Sequence, residues 1–281
     1  MHRYLQHRKY LSKRFPKGLK ALFANYIIID LASGLFAVFL PIFLYEFLNK
    51  DLQAVFIYYL LGYLLTLLII IMGSQKLNKF GFRRALKAST FFAVFFYASL
   101  YFLNHDNLEY LIPFSIVFLA IRRFLYWIPY NIDFAKFADS QDRGKTMGLL
   151  EIILSITGVV TPLVAGFIIV KFGFNALFLL GVIIFIISYF PLISLPRTKE
   201  KFSWNALKTI EKILDKKNRT TVLIFFAEGA ESIIFFIIWP IFVFQILQGN
   251  YLQVGFISTA TVVVVVVAQF FVGKKADGTK K

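Results

Sequence analysis

The stretch Ser74–Leu86, SQKLNKFGFRRAL, is a basic loop held between two long apolar runs. The opening of a second copy, GKKAD, stands at Gly273–Asp277, 199 residues further on (273 less 74). The same offset lays Pro41-Ile42-Phe43 on Pro240-Ile241-Phe242, Ser33 on Ser232, Phe36 on Phe235 and Leu48 on Leu247. A gapless offset that holds at separate places marks an internal repeat. Here the unit is about half a protein, and the chain carries one unit and the start of the next.

Composition fixes the class. Hydrophobic residues are 59% of the 281 and aromatics 19%, with mean hydropathy +0.72. Apolar runs near or above the ~18 residues needed to span a bilayer recur along the chain. The expected fold is therefore all-α, a polytopic helical membrane protein. With no cysteine there is no disulfide framework, thiol nucleophile or thiolate metal site. The net charge of +16 reads as one-sided loop charge rather than a nucleic-acid surface.

Spans are expected at about 21–47, 53–73, 87–103, 110–130, 146–170, 175–195, 220–247 and 252–273, because backbone groups in lipid must be satisfied within the segment. The third is short and is open to beginning inside the basic loop. Of 31 Lys and Arg, 27 lie in the arm 1–20 and in the loops on that same side. The opposite loops hold only Lys50 and Lys171, and Arg122 and Arg123 lie inside the fourth span. Lysine and arginine bias places both termini in the cytosol of a cell-membrane protein. The division is an arm 1–20, a six-helix bundle 21–195, a linker 196–219 and the start of a second bundle 220–281. The arm is either a lipid-surface contact or a solvated tail. Within the linker, Trp204, Leu207, Ile210, Ile213 and Leu214 share a face opposed to Lys208, Lys212 and Lys216, as in an interfacial helix or else an ordinary charged linker helix with no membrane contact.

The Ser74–Leu86 loop resembles the loop between the second and third helices of the major facilitator superfamily, Gly-x-Leu-Ala-Asp-Arg-x-Gly-Arg-Lys. Gly81 stands at its second Gly, Lys79 at the Arg and Phe82-Arg83 at the following pair, with Arg84 beyond. Ser74 replaces the first Gly and Asn78 replaces the Asp. GVVTPLVAG, Gly158–Gly166, is similar to the family's fifth-helix signature, with Thr161 and Ala165 at two glycine positions. Gly158, Pro162 and Gly166 recur every four residues, a shallow face for close helix approach. The resemblance implies a transporter of a small solute, not an enzyme, with Asn78, Lys79, Gly81, Arg83, Arg84, Gly273 and Asp277 in the gating loops. It covers the first eight of twelve helices. The expectation is a fragment, one chain of a split carrier completed by a second chain, or a degenerate copy serving as a non-transporting scaffold, none of which transports unaided.

Ionisable groups within spans are functional candidates by default. Asp30 lies about 12 Å into the first helix at 1.5 Å per residue, and Arg122 and Arg123 reach similar depth on the fourth. Asp30 is expected to pair with one of the two, for packing or for coupling. Glu228 and Glu231 share a face of the seventh helix and serve either as proton carriers or as vestibule groups. Asn25, Tyr26, Ser33, Tyr126, Trp127 and Tyr130 are candidates to line a solute cavity. No cofactor motif, zinc spacing or phosphate-cradling glycine loop is present.

Overall fold

A computed structural model describes residues 16–137, 143–198 and 206–278, and among them there are helices and no strand. α1 is Lys17–Ala37, α2 Phe39–Phe47, α3 Leu52–Gly73, α4 Lys76–Phe80, α5 Phe82–Tyr101 and α6 Leu108–Phe137. α7, Arg143–Ile193, is followed by α8, Ala206–Leu214, and a 3-10 turn, Lys216–Asn218. α9, Arg219–Ile233, passes through a π turn, Ile234–Ile238, into α10, Trp239–Ile246, and α11 is Tyr251–Gly278. The arm 1–15 and Trp204 lie outside the described residues.

Six helices are long and apolar enough to cross a membrane. With α5, and with α7 counted as two segments, the long helical segments number eight among the described residues. α5 carries Arg83, Arg84 and Lys87 in its first turns, and α7 is two crossings joined end to end. Gly173 has φ 80 and ψ 174, outside the helical region, a conformation that costs glycine little. Contacts with α1 and α2 show the reversal there. Leu19 clusters with Leu150, Thr157 donates a hydrogen bond to Asp30, and Phe39 lies against Gly166, so the first arm of α7 ascends. Asn25 donates to the Ser188 carbonyl (2.7 Å), Phe36 stacks on Phe178 and Phe43 packs on Phe174, so the second arm descends. α5 starts at Phe82, five residues before the expected third span, because Gly81 (φ 87, ψ 132) turns the chain out of α4. α6 runs on to Phe137, past the expected end at 130.

The offset of 199 residues reappears in the backbone. Asn49 and Lys50 have positive φ (57 and 62), and so do Gln248 and Gly249 (52 and 84). Lys50 N–H donates to the Tyr45 carbonyl at 2.8 Å, and Gly249 N–H to the Phe244 carbonyl at 3.0 Å. This is the left-handed helix termination that satisfies late carbonyls. The next helix is capped alike in each unit: Ala54 N–H donates to Asp51 Oδ1 (3.2 Å), and Gln253 N–H to Asn250 Oδ1 (3.1 Å). The repeated prolines also act alike. Pro41 cannot donate to the Ala37 carbonyl, nor Pro240 to that of Phe236. The chain breaks at Val38 between α1 and α2 in one unit, and widens to the π turn Ile234–Ile238 in the other.

Two sequence expectations are corrected. Gly273–Asp277 is the last part of α11, not a loop, since nothing there breaks the helix as Gly81 does. Their side chains lie outside the described residues. The close crossing of α7 and α11 is not at Gly158, whose nearest neighbour for an added Cβ is Val262 at 3.7 Å. It is at Gly166, where that Cβ would lie 2.7 Å from the Tyr251 carbonyl, and at Gly255, 2.5 Å from the Pro162 carbonyl. The period of four finds the face but not the point along it where the axes meet.

Candidate functional site

The two repeat units meet around a cavity of about 170 Å³. α1 supplies Ser33 and Ala37, and the seventh crossing supplies Ser232 and Phe236, positions 199 apart in each case. α3 adds Tyr59 and Tyr63, α5 Tyr97, and α6 Arg123. A second cavity of about 160 Å³ shares Ala37 and Phe236 and extends to Gly158, Pro162, Ser258 and Thr261. The residues four before each repeat proline thus border both cavities. Among the described residues no carboxylate lines either one.

Arg123 lies over the Tyr63 ring at 4.4 Å and Arg122 over the Phe185 ring at 4.8 Å. Ring faces stabilise a guanidinium without neutralising it. The expected pair of Asp30 with Arg122 or Arg123 is absent: Asp30 accepts a hydrogen bond from Thr157, and the charge acting on it is that of Glu151. The reason is azimuth. Asp30 faces the first arm of α7, whereas Arg122 faces the second and Arg123 faces α3. Glu228 and Glu231 are exposed on α9, of whose residues none is buried.

Of the expected cavity residues, Tyr26, Tyr126, Trp127 and Tyr130 form one aromatic cluster beside Asp30. Tyr26 packs on Tyr130 at 5.0 Å and on Trp127 at 6.1 Å, and Tyr126 stacks on Tyr130 at 5.4 Å. The buried hydroxyls of Tyr126 and Tyr130 have no hydrogen-bond partner, so each is a donor left for a ligand or water. Asn25 is instead fully buried and held on the Ser188 carbonyl, a packing contact rather than a lining group.

At the loop-poor end the units are locked together. Tyr251 OH donates to the Glu46 carboxylate, and Gln245 Nε2 donates to Tyr45 OH at 2.5 Å. Phe174 and Phe244 pack on the Tyr251 ring at 5.4 and 5.2 Å and close the gap. At the end bearing the basic loops α9 has no buried residue. Composition alone does not reveal this lock. Its one sequence signal is that Glu46 and Gln245 are repeat-equivalent.

The family model of the Major Facilitator Superfamily matches residues 22–281. The chain belongs to this family. The match runs through both repeat units and the cavity between them. No curated protein matches the chain. This major facilitator protein is an all-α, multi-pass membrane protein. Members of the superfamily are secondary transporters that bind small solutes.

Proposed function

We propose that the cavity between the repeats is the solute site of a proton-coupled carrier, with both termini in the cytosol of a cell-membrane protein. The observation that carries this reading is the repeat symmetry of the lining: Ser33 with Ser232, and Ala37 with Phe236. A site bounded by equivalent positions of two units is reachable from either side when the units rock about it. Arg123 and the hydroxyls around it suit a small solute with an anionic or acceptor group. The bundle 21–195 and the unit from 220 move as bodies joined by the linker 196–219. The exposed apolar side chains of α9, including Phe225 and Phe226, take the remaining helices of the second bundle, whether from the same chain or from a second one.

Asp30 is the coupling group in this reading. It has no cation to hold, its hydrogen-bond donor is a neutral hydroxyl, and it lies one turn from Ser33 and Gly34, which border the two cavities. Asp30→Asn keeps the size and the acceptor of the side chain. It should leave the thermal midpoint in detergent within about 2 °C, a surface-like change. In reconstituted vesicles it should abolish the stimulation of solute uptake by an imposed proton gradient while leaving exchange of labelled solute intact. Gradient-driven uptake equal to wild type removes Asp30 from the mechanism, and a collapsed fold shows a structural ion partner after all.

A further inference from the structure

A cavity of about 410 Å³ lies away from the solute site, at the end of the molecule bearing the basic loops. Lys79, Arg83, Arg84, Lys87 and Arg197 line it, and Thr198, also in its wall, donates its hydroxyl to the buried Asp133 carboxylate at 2.7 Å. The adjoining loop residue Asn78 supplies no countercharge. Arg83 is held in place by donating from Nη2 to the Ile193 carbonyl at 2.6 Å, yet its Nε is buried without a partner. The first-turn amides of α5, which begins at Phe82, have no side-chain cap. Five cations converging beside the unpartnered Arg83 Nε form an anion site, because each cation gains from one negative ligand.

A second cavity continues it into the bilayer along the same two elements. About 140 Å³ between α5 and the second arm of α7 is lined by Thr90, Phe91, Val94, Ile186, Tyr189 and Phe190 and is almost wholly apolar. Lys87 joins the two, with its ammonium 5.4 Å from the Tyr189 ring centre. Phe91 packs edge-on against Tyr189 at 5.7 Å, and Phe91 and Phe190 remain exposed on the groove's rim. A free phosphate has no use for an apolar groove one helical turn below its site. We propose that the two cavities together hold one anionic phospholipid of the leaflet on the basic side, its phosphate in the basic pocket and an acyl chain in the groove. The lipid would bridge the loop after α3 to the segment after α7.

The test uses the full chain, stripped of lipid in detergent, with dioleoyl phosphatidylglycerol, dioleoyl phosphatidylcholine and inorganic phosphate as separate probes, read by native mass spectrometry and thermal midpoint. Phosphatidylglycerol should be retained and should raise the midpoint, while the other two at equal concentration should not. Arg84→Gln with Lys87→Gln, neither of which makes a hydrogen bond needed by the fold, should weaken phosphatidylglycerol binding about thirtyfold, at about 1 kcal/mol for each lost cation. Ile186→Trp, which fills the groove and leaves the cations, should also release the lipid. If the double variant does not fold, Arg197→Gln in the exposed segment after α7 carries the same test, with about a fivefold loss. Equal retention of phosphatidylcholine, full displacement by inorganic phosphate, or unchanged binding in the folded variants overturns the proposal.

Discussion

Gly255→Leu should remove most of the monodisperse protein from a detergent extract. A Cβ at this position would lie 2.5 Å from the Pro162 carbonyl oxygen and 3.2 Å from Leu163 Cα. These are backbone atoms, so no rotamer change relieves the overlap. Gly166 completes the crossing from the other side, 2.7 Å from the Tyr251 carbonyl. Lipid tails are as apolar as leucine, so helices in a bilayer associate through close packing and hydrogen bonds rather than burial from water. Separating α7 from α11 therefore forfeits the contact that fastens the second unit to the first, including the hydrogen bond from Thr259 to the Val159 carbonyl. Overpacking typically costs about 1–3 kcal/mol, and an unyielding backbone neighbour places both glycines at or above the top of that range. Gly166→Leu should behave likewise. Gly158→Ala, with 3.7 Å of clearance, should be near neutral. Size-exclusion profiles and thermal midpoints of the three variants decide it, and a Gly158→Ala variant as damaged as Gly255→Leu contradicts the assigned crossing.

Tyr251→Phe should open the loop-poor end. The phenylalanine keeps the ring packed between Phe174 and Phe244 but deletes the hydroxyl that donates to Glu46. A hydrogen bond to a charged group contributes about 1.5–3 kcal/mol. Lost from only the state sealed at that end, it shifts the balance between states about 10- to 100-fold. The chain has no cysteine, so Ala37→Cys on the cavity wall is a unique reporter. An impermeant maleimide applied from the side of the Lys50 loop should label it about tenfold faster, or more, in the Tyr251→Phe background. Glu46→Gln should act in the same direction, more weakly, because the amide still accepts. An unchanged rate in both shows that the seal is made by the ring packing alone.

Much of the fold is legible in the residues. The apolar runs give eight crossings, the lysine and arginine bias separates the two ends, and the offset of 199 predicts a second unit whose helix ends and caps match the first in their hydrogen bonds. What the residues do not contain is azimuth. Depth follows from counting at 1.5 Å per residue, but each residue also turns a helix by about 100°. Asp30, Arg122 and Arg123 share a depth and nonetheless face different neighbours. Gly158 and Gly166 share a face, yet only one lies where the axes cross. The Tyr251–Glu46 lock joins residues about two hundred positions apart, and no local pattern announces it. The cavity between the units is within reach through a joint signal: the repeated prolines single out Ala37 and Phe236, and the repeated serines stand one turn away.

The central claim is that the two repeat units wall one common cavity, and thiol accessibility at Ser33→Cys and Ser232→Cys tests it most directly. In vesicles of known orientation, both should react with an impermeant maleimide from the side of the basic loops, at similar rates, while Leu60→Cys on the outer face of α3 should not. Ser33→Cys and Ser232→Cys reacting from opposite sides, or one of them reacting no faster than Leu60→Cys, would contradict the account.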